Sequence, residues 1–217
     1  MQHNNLLKKA ILALLLCVAM PCLNAQIAHI GDILCTGGVY VSPSEYPGSG
    51  LEAMGVIFYV DATGQHGWAV ALEDVGNFAW GSYGSDTPLP NYTGSRTAIY
   101  DLDGLFNTQE VLNYGANNNK SFPAFEALDL ANGWYLPAIG QLNYLYGNLV
   151  EVNAGLAATG GVAFEMSDNW YYWSSTEVSS VNAWSLSSSG GFNYSYMGNG
   201  YSGNRWISRR VRGVRNF

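Results

Sequence analysis

Two apolar runs stand out along the chain, MGVIFYVD over 54–61 and GWAVALED over 67–74, joined by the polar stretch ATGQH. Both are rich in β-branched and aromatic residues and have the length of strands, so the pattern predicts a hairpin with a loop longer than a two-residue turn. Their apolarity is continuous and not alternating, which predicts cover on both faces and a central place in a sheet. Upstream, from Gln26 to about Gly50, apolar residues are broken by Gly37-Gly38 and by Ser-Pro-Gly stretches, giving short strands and turns. Residues 76–121 are rich in Gly, Asn, Asp, Ser and Tyr without sustained periodicity and read as loops with brief elements. The period then becomes helical. A helix near 122–131 is predicted from Ser121 as cap, Pro123 in the first turn, and Phe125, Leu128 and Ala131 on one face before Asn132-Gly133. A second, amphipathic helix over 137–150 follows from Ile139, Leu142, Leu145 or Tyr146, and Leu149. Beyond Trp170, Ser, Gly, Asn and Tyr dominate between Trp173, Trp184 and Trp206; these anchors argue for short strands carrying a polar and aromatic surface. The fold class so predicted is α+β.

The first 25 residues have a different organisation. Lys8 and Lys9 precede an uninterrupted apolar run from Ala10 to Val18, and Leu23 and Ala25 occupy the positions before a cleavage site. This ordering predicts a secretory signal peptide cut after Ala25, and the run is too short for a permanent membrane anchor. Lipidation at Cys17 or Cys22 is disfavoured because Leu16 and Pro21, which precede them, are not small. Removing 25 of the 217 residues leaves 192, enough for a single domain over 26–217. Cys35 becomes the one remaining thiol, so stability has to come from packing and not from disulfides. All sixteen acidic residues stay and seven basic ones remain, a net charge of about −9 that argues against nucleic acid as a partner. Five of those seven, Arg205, Arg209, Arg210, Arg212 and Arg215, fall in the last thirteen positions. The preferred reading is a terminal strand that returns to the domain and pairs its arginines with carboxylates; the alternative is an anion patch.

The order GWYLP…QL, then YWSSTE, NAW and a final VRGVRNF resembles the bacterial domain of unknown function 1566, the Lcl C-terminal-like domain. The upstream GDIL…GVIFYVD…HGWAVALED block resembles gut-bacterial members of that group. The resemblance implies a C-type-lectin-like fold of twisted antiparallel strands, two helices and extensive ordered loops. Some proteins with this C-terminal signature are variable receptors of diversity-generating retroelements, in which copying at adenines randomises Asn codons. Between Glu177 and Trp206 many positions carry residues reachable in that way, while Trp184 and Leu186 look like fixed scaffold. Relatives that do not vary share this composition, so both versions stand.

Residues able to carry chemistry are few. Enzymes of the formylglycine-generating type, which share the fold the resemblance implies, need reactive or copper-binding thiols, whereas Cys35 stands alone and reads as a small buried side chain. His29 and His66 fit no spaced metal motif, and His66 reads as a turn residue. No GxSxG elbow is present, Asp101-Leu102-Asp103-Gly104 is too short of ligands for an EF-hand loop, and Asp168-Asn169-Trp170 is a fragment of a lectin triplet. No catalytic residue, metal or cofactor is therefore expected. The positive signal is for binding. Tyr and Trp offer stiff amphipathic contact area, and Ser, Gly and Asn around them offer adaptable hydrogen bonds. In the segment 178–206 the expected ligand-binding residues are Asn193, Tyr194, Tyr196, Asn199, Tyr201 and Asn204, about half of them packing inward because strand neighbours alternate faces. Trp173, Trp184 and Trp206 are assigned to the core. The function expected is that of an exported, adhesin- or receptor-like module whose partner is an extracellular protein or glycan. The alternative is a structural subunit of a surface appendage or envelope assembly, with self-association through the same face; a formylglycine-generating-type enzyme is the least favoured.

Overall fold

The computed structural model describes residues 26–165, 171–187, 190–196 and 207–217, with the side chains of 194–196 left aside. The apolar runs form the expected hairpin, β3 (Ala53–Val60) and β4 (Gly67–Ala71), in the register Val56↔Val70 and Ile57↔Ala69. Three shorter strands complete an antiparallel sheet around it. They are β1 (Ile33–Cys35), β2 (Tyr40–Val41) and β10 (Val214–Asn216), and the order β10-β4-β3-β1-β2 puts β3 at the centre, where its cover on both faces is needed. The second sheet contains β5 (Gly76–Phe78), β6 (Tyr171–Ser179), β7 (Asn182–Ser187), β8 (Phe192–Tyr196) and β9 (Arg209–Val211), in the order β5-β9-β6-β7-β8. Among the described strands β6 and β9 pair in parallel and the other neighbours antiparallel.

Among the described residues five α-helices lie between β5 and β6: α1 (Ser95–Ala98), α2 (Gly104–Asn118), α3 (Pro123–Glu126), α4 (Ile139–Gly147) and α5 (Leu149–Thr159). The class is α+β. The helix expected over 122–131 is present only as α3 and a single 3-10 turn, Leu130–Asn132, with Asp129 capping the turn. The helix expected over 137–150 starts at Ile139 and breaks at Asn148, whose backbone leaves the helical region and whose side-chain amide donates to the carbonyls of Phe58 and Tyr144. Leu149 therefore begins α5 and does not end α4. Gly155 lets α5 lie on the sheet, because a Cβ there would sit 2.6 Å from the carbonyl oxygen of Gly31 and from Val56 Cγ1.

The fifteen-residue α2 falls in the stretch expected to be loops. Its inward residues are Gly104, Asn107, Thr108, Val111 and Gly115, so an inner face exists but is small and polar, and apolar periodicity is absent. The helix is defined by its ends instead. The Asp103 carboxylate accepts from the Phe106 amide, and Asn119 closes the helix in the left-handed region at φ 51°.

The main core joins both sheets. Val56, Phe58 and Val70 of the hairpin meet Ile139, Leu142, Leu145, Val152 and Leu156 of α4 and α5, and Trp184 and Leu186 of β7. A second cluster gathers Trp80, Val111, Phe122, Phe125, Leu136 and Trp173. A third, smaller one contains Ala28, Leu34, Tyr40, Ile57 and Ala69, with Phe217 against it. Trp173 and Trp184 are thus core residues, and Trp206 lies outside the described residues.

Candidate functional site

Four consecutive polar residues of β6, Ser174 to Glu177, are fully buried, so each needs an internal partner. Ser174 Oγ donates to the Trp184 carbonyl at 2.9 Å, and its own carbonyl accepts from Trp80 Nε1 at 2.7 Å. Asn107 Nδ2 bridges Ser175 Oγ at 3.1 Å and Asp101 Oδ2 at 2.9 Å. Thr176 Oγ1 donates to Asp101 Oδ2 at 2.7 Å and accepts from the Ile139 amide at 2.9 Å, which ties the first residue of α4 to β6. Glu177 Oε1 accepts from Thr87 Oγ1 at 2.7 Å, while Oε2 is buried without a partner among the described residues. Burial pushes the Glu177 carboxyl up to about 7, against the Thr87 hydrogen bond and with a smaller push from Asp86. The YWSSTE motif is therefore an internal polar frame. Asp101 and Asp103, weighed above as parts of a calcium loop, serve that frame and the α2 cap.

On this frame β7 and β8 carry the segment expected to bind. Trp184 Nε1 donates to the Tyr92 carbonyl at 2.8 Å, and the Tyr92 amide donates to the Glu177 carbonyl, so a loop is clamped onto both strands. The β7–β8 register is Leu186↔Phe192, Ser185↔Asn193, Trp184↔Tyr194, Ala183↔Ser195 and Asn182↔Tyr196. Gly190, at φ 77°, makes the turn between them; a Cβ there would lie 2.4 Å from the Tyr146 ring of α4. β8 is the last strand of its sheet, and no described strand pairs with its outer edge. The Ser187 amide donates to the Gly191 carbonyl, and Ser185 Oγ to that of Asn193. In an antiparallel ladder bonded and non-bonded pairs alternate. Gly191, Asn193 and Ser195 consequently face β7 with their backbone groups, and Phe192, Tyr194 and Tyr196 turn theirs to the open edge.

Of the six residues expected to bind, β8 brings together Asn193, Tyr194 and Tyr196; Asn193 is exposed. Asn199, Tyr201 and Asn204 lie outside the described residues.

The arginine-rich tail returns twice, as β9 and β10. Arg212, with a side chain 1% exposed, places Nε 2.8 Å from Asp74 Oδ1, and its Nη2 donates to the carbonyls of Leu72 and Val162. Arg210 lies 3.8 Å from the same carboxylate, and the Tyr172 hydroxyl donates to it. Two arginines thus meet a carboxylate as expected. The others differ: Arg209 stacks over Tyr171 and Trp173 at 4.1 and 5.0 Å, and Arg215 over Trp134 at 5.4 Å. Arg205 lies outside the described residues. Cys35 is buried and unpaired, its thiol pKa raised by burial, and His66 is an exposed residue of the β3–β4 loop. Among the described residues no group of three or more His, Cys, Asp or Glu could hold a metal ion, and no helix is long and apolar enough to cross a membrane.

Sequence reasoning missed the open edge of β8 and the buried Glu177. The edge could not be read because strand order is set by β9, which enters between β5 and β6 from the far end of the chain. A Glu beside three small polar residues in an otherwise apolar strand was the available signal for the second.

The geometry defines an α+β protein of two sheets, with a polar frame inside and, at one edge, a strand whose outer side no described strand pairs. No protein-family model and no curated protein matches the chain. Among solved structures, its fold is similar to that of a fimbrial protein from Bacteroides ovatus, with a TM-score of 0.58 and 19% identity over 87% of this chain. The chain spans about half, 49%, of that structure's length.

Proposed function

We propose that this chain is an exported module of a surface appendage, and that it docks neighbouring subunits along the outer edge of β8. The supporting observation is the fold likeness to a fimbrial protein over 87% of the chain, taken together with an edge strand whose outward backbone groups have no described partner. An open edge offers main-chain hydrogen bonds to an added strand, and side chains on alternate positions supply selectivity. In this reading the signal peptide delivers the chain across the membrane and no catalytic step is involved. The test is Tyr194→Pro, followed by sedimentation velocity over a range of concentrations. Pro removes an amide that faces the open edge and leaves the β7 ladder intact. Wild-type chain should self-associate with rising concentration while the Pro variant stays monomeric and folded; equal behaviour of the two would refute the docking edge.

A second reading keeps the same strand as the face of a receptor for an extracellular protein or glycan. It is favoured by exposed Asn193 and by the Tyr- and Asn-rich composition through Asn204. The C-type-lectin-like description of the fold and the kinship with the Lcl C-terminal-like domain belong to this reading and rest on motif order. Its retroelement version is tested by looking downstream of the gene for a near-copy of the codons for 173–217 that differs only at adenines. Binding of isolated glycans by a monomer would favour the receptor over the appendage subunit.

A further inference from the structure

On the side of the first sheet where the third apolar cluster lies, there is a cavity of about 290 Å³. Buried Leu34 and Tyr40 and the side chain of Met54 give it an apolar interior, exposed Gln65 and Asn216 give it a polar mouth, and Arg215 lines it. Arg215 is placed unlike Arg210 and Arg212 in the tail. Arg210 and Arg212 share Asp74, whereas no carboxylate among the described residues lies within 4 Å of the Arg215 guanidinium. Its Nε is buried with no acceptor, and its Nη1 meets the Met54 sulfur at 3.9 Å. The guanidinium is held in place by β10 and by the Trp134 ring. A fixed cation with weak internal partners, beside an apolar hollow, lacks a counter-charge.

We infer that this cavity binds a small organic carboxylate, with its charge on Arg215 and a compact apolar body against Leu34, Tyr40 and Met54. The volume suits a ligand of about fifteen non-hydrogen atoms or fewer, well short of a docked peptide. A single guanidinium matches one carboxylate; a phosphate dianion would ask for further strong cations, and the lining holds no lysine and no second arginine, only the imidazole of His66 beside Arg215. The site is separate from the β8 edge and does not depend on the function proposed above.

The experiment titrates the purified full chain with benzoate, hexanoate, benzamide and inorganic phosphate, following the side-chain N–H signals of Trp134, Gln65 and Asn216 by NMR. Benzoate or hexanoate should saturate these shifts below about 10 mM, with benzamide and phosphate at least about tenfold weaker. Arg215→Met should weaken carboxylate binding about tenfold or more. Gln65→Trp, placed in an exposed loop, should block the mouth with Arg215 intact, so the inference stays testable if the Met variant fails to fold. Absence of saturation by both carboxylates, benzamide binding as well as benzoate, or unchanged carboxylate binding in Gln65→Trp would each overturn it.

Discussion

Replacing Asp74 by Ala strips the counter-charge from Arg212, whose side chain is 1% exposed and which has no route to solvent. Breaking a buried pair by removing one partner costs about 3–5 kcal/mol, chiefly through the charge left behind. Asp74 itself keeps a side-chain exposure of 19%, so water offsets part of that loss, and the lower end of the range applies. The Tyr172 hydroxyl loses its acceptor in the same substitution. Together these give about 3–4 kcal/mol, which for a chain of this size is a fall in melting temperature of about 6–16 °C. The assay is thermal and urea unfolding of wild type, Asp74→Ala, Arg212→Met and the double variant. The double variant should be more stable than the summed single effects allow, by about 2 kcal/mol, because removing both charges leaves neither uncompensated. Raising salt from about 0.05 to about 0.5 M should change the Asp74 effect little, since a buried pair is poorly screened. A loss under about 1 kcal/mol, or strict additivity, would refute this account of the tail.

Glu177 gives a pH signature: its folded value of about 7 exceeds the ordinary 4.5, so the folded chain keeps a proton that the unfolded chain releases. Stability should therefore fall by about 3 kcal/mol as pH rises from about 4.5 to about 7, and Glu177→Gln should flatten that part of the profile of urea midpoints against pH. Gly190→Ala sets a side chain at φ 77° against the Tyr146 ring and should cost about 1–3 kcal/mol in thermal melts; adding Tyr146→Ala should recover the steric part alone. Asn107→Leu removes the amide that bridges Asp101 and Ser175, with an expected loss of about 2–3 kcal/mol seen as a lower urea midpoint at unchanged slope.

The hairpin was legible because a central strand covered on both faces has to be apolar throughout, and β3 and β4 are. Trp173 and Trp184 were legible as core for a related reason: they are large apolar side chains standing in polar surroundings. The longest helix was not. α2 presents Asn107 and Thr108 inward to partners on β6 and on the segment before α4, so its buried face satisfies hydrogen bonds and looks, in sequence, like a loop. Sequence pattern records burial through apolarity and is blind to a polar interior. The tail was half legible. A returning strand was expected from the cluster of arginines at the end of an otherwise acidic chain, but which arginines take a carboxylate and which take a ring depends on Asp74, Trp134 and Tyr171, residues brought near only by the sheets. Of the candidate site, the strand carrying Asn193, Tyr194 and Tyr196 followed from composition, while its place at a sheet edge is a matter of topology.

Residues 209–216 feed both sheets, β9 slotting between β5 and β6 and β10 closing the far side of β4. As the chain is synthesised, N-terminus first, neither sheet can close until these strands have followed the residues before them. Completion of both sheets therefore waits for residues 209–216, the last of the described strands to be made. A stop codon placed before residue 209 would deprive both sheets of a strand at once and leave a product open to proteases.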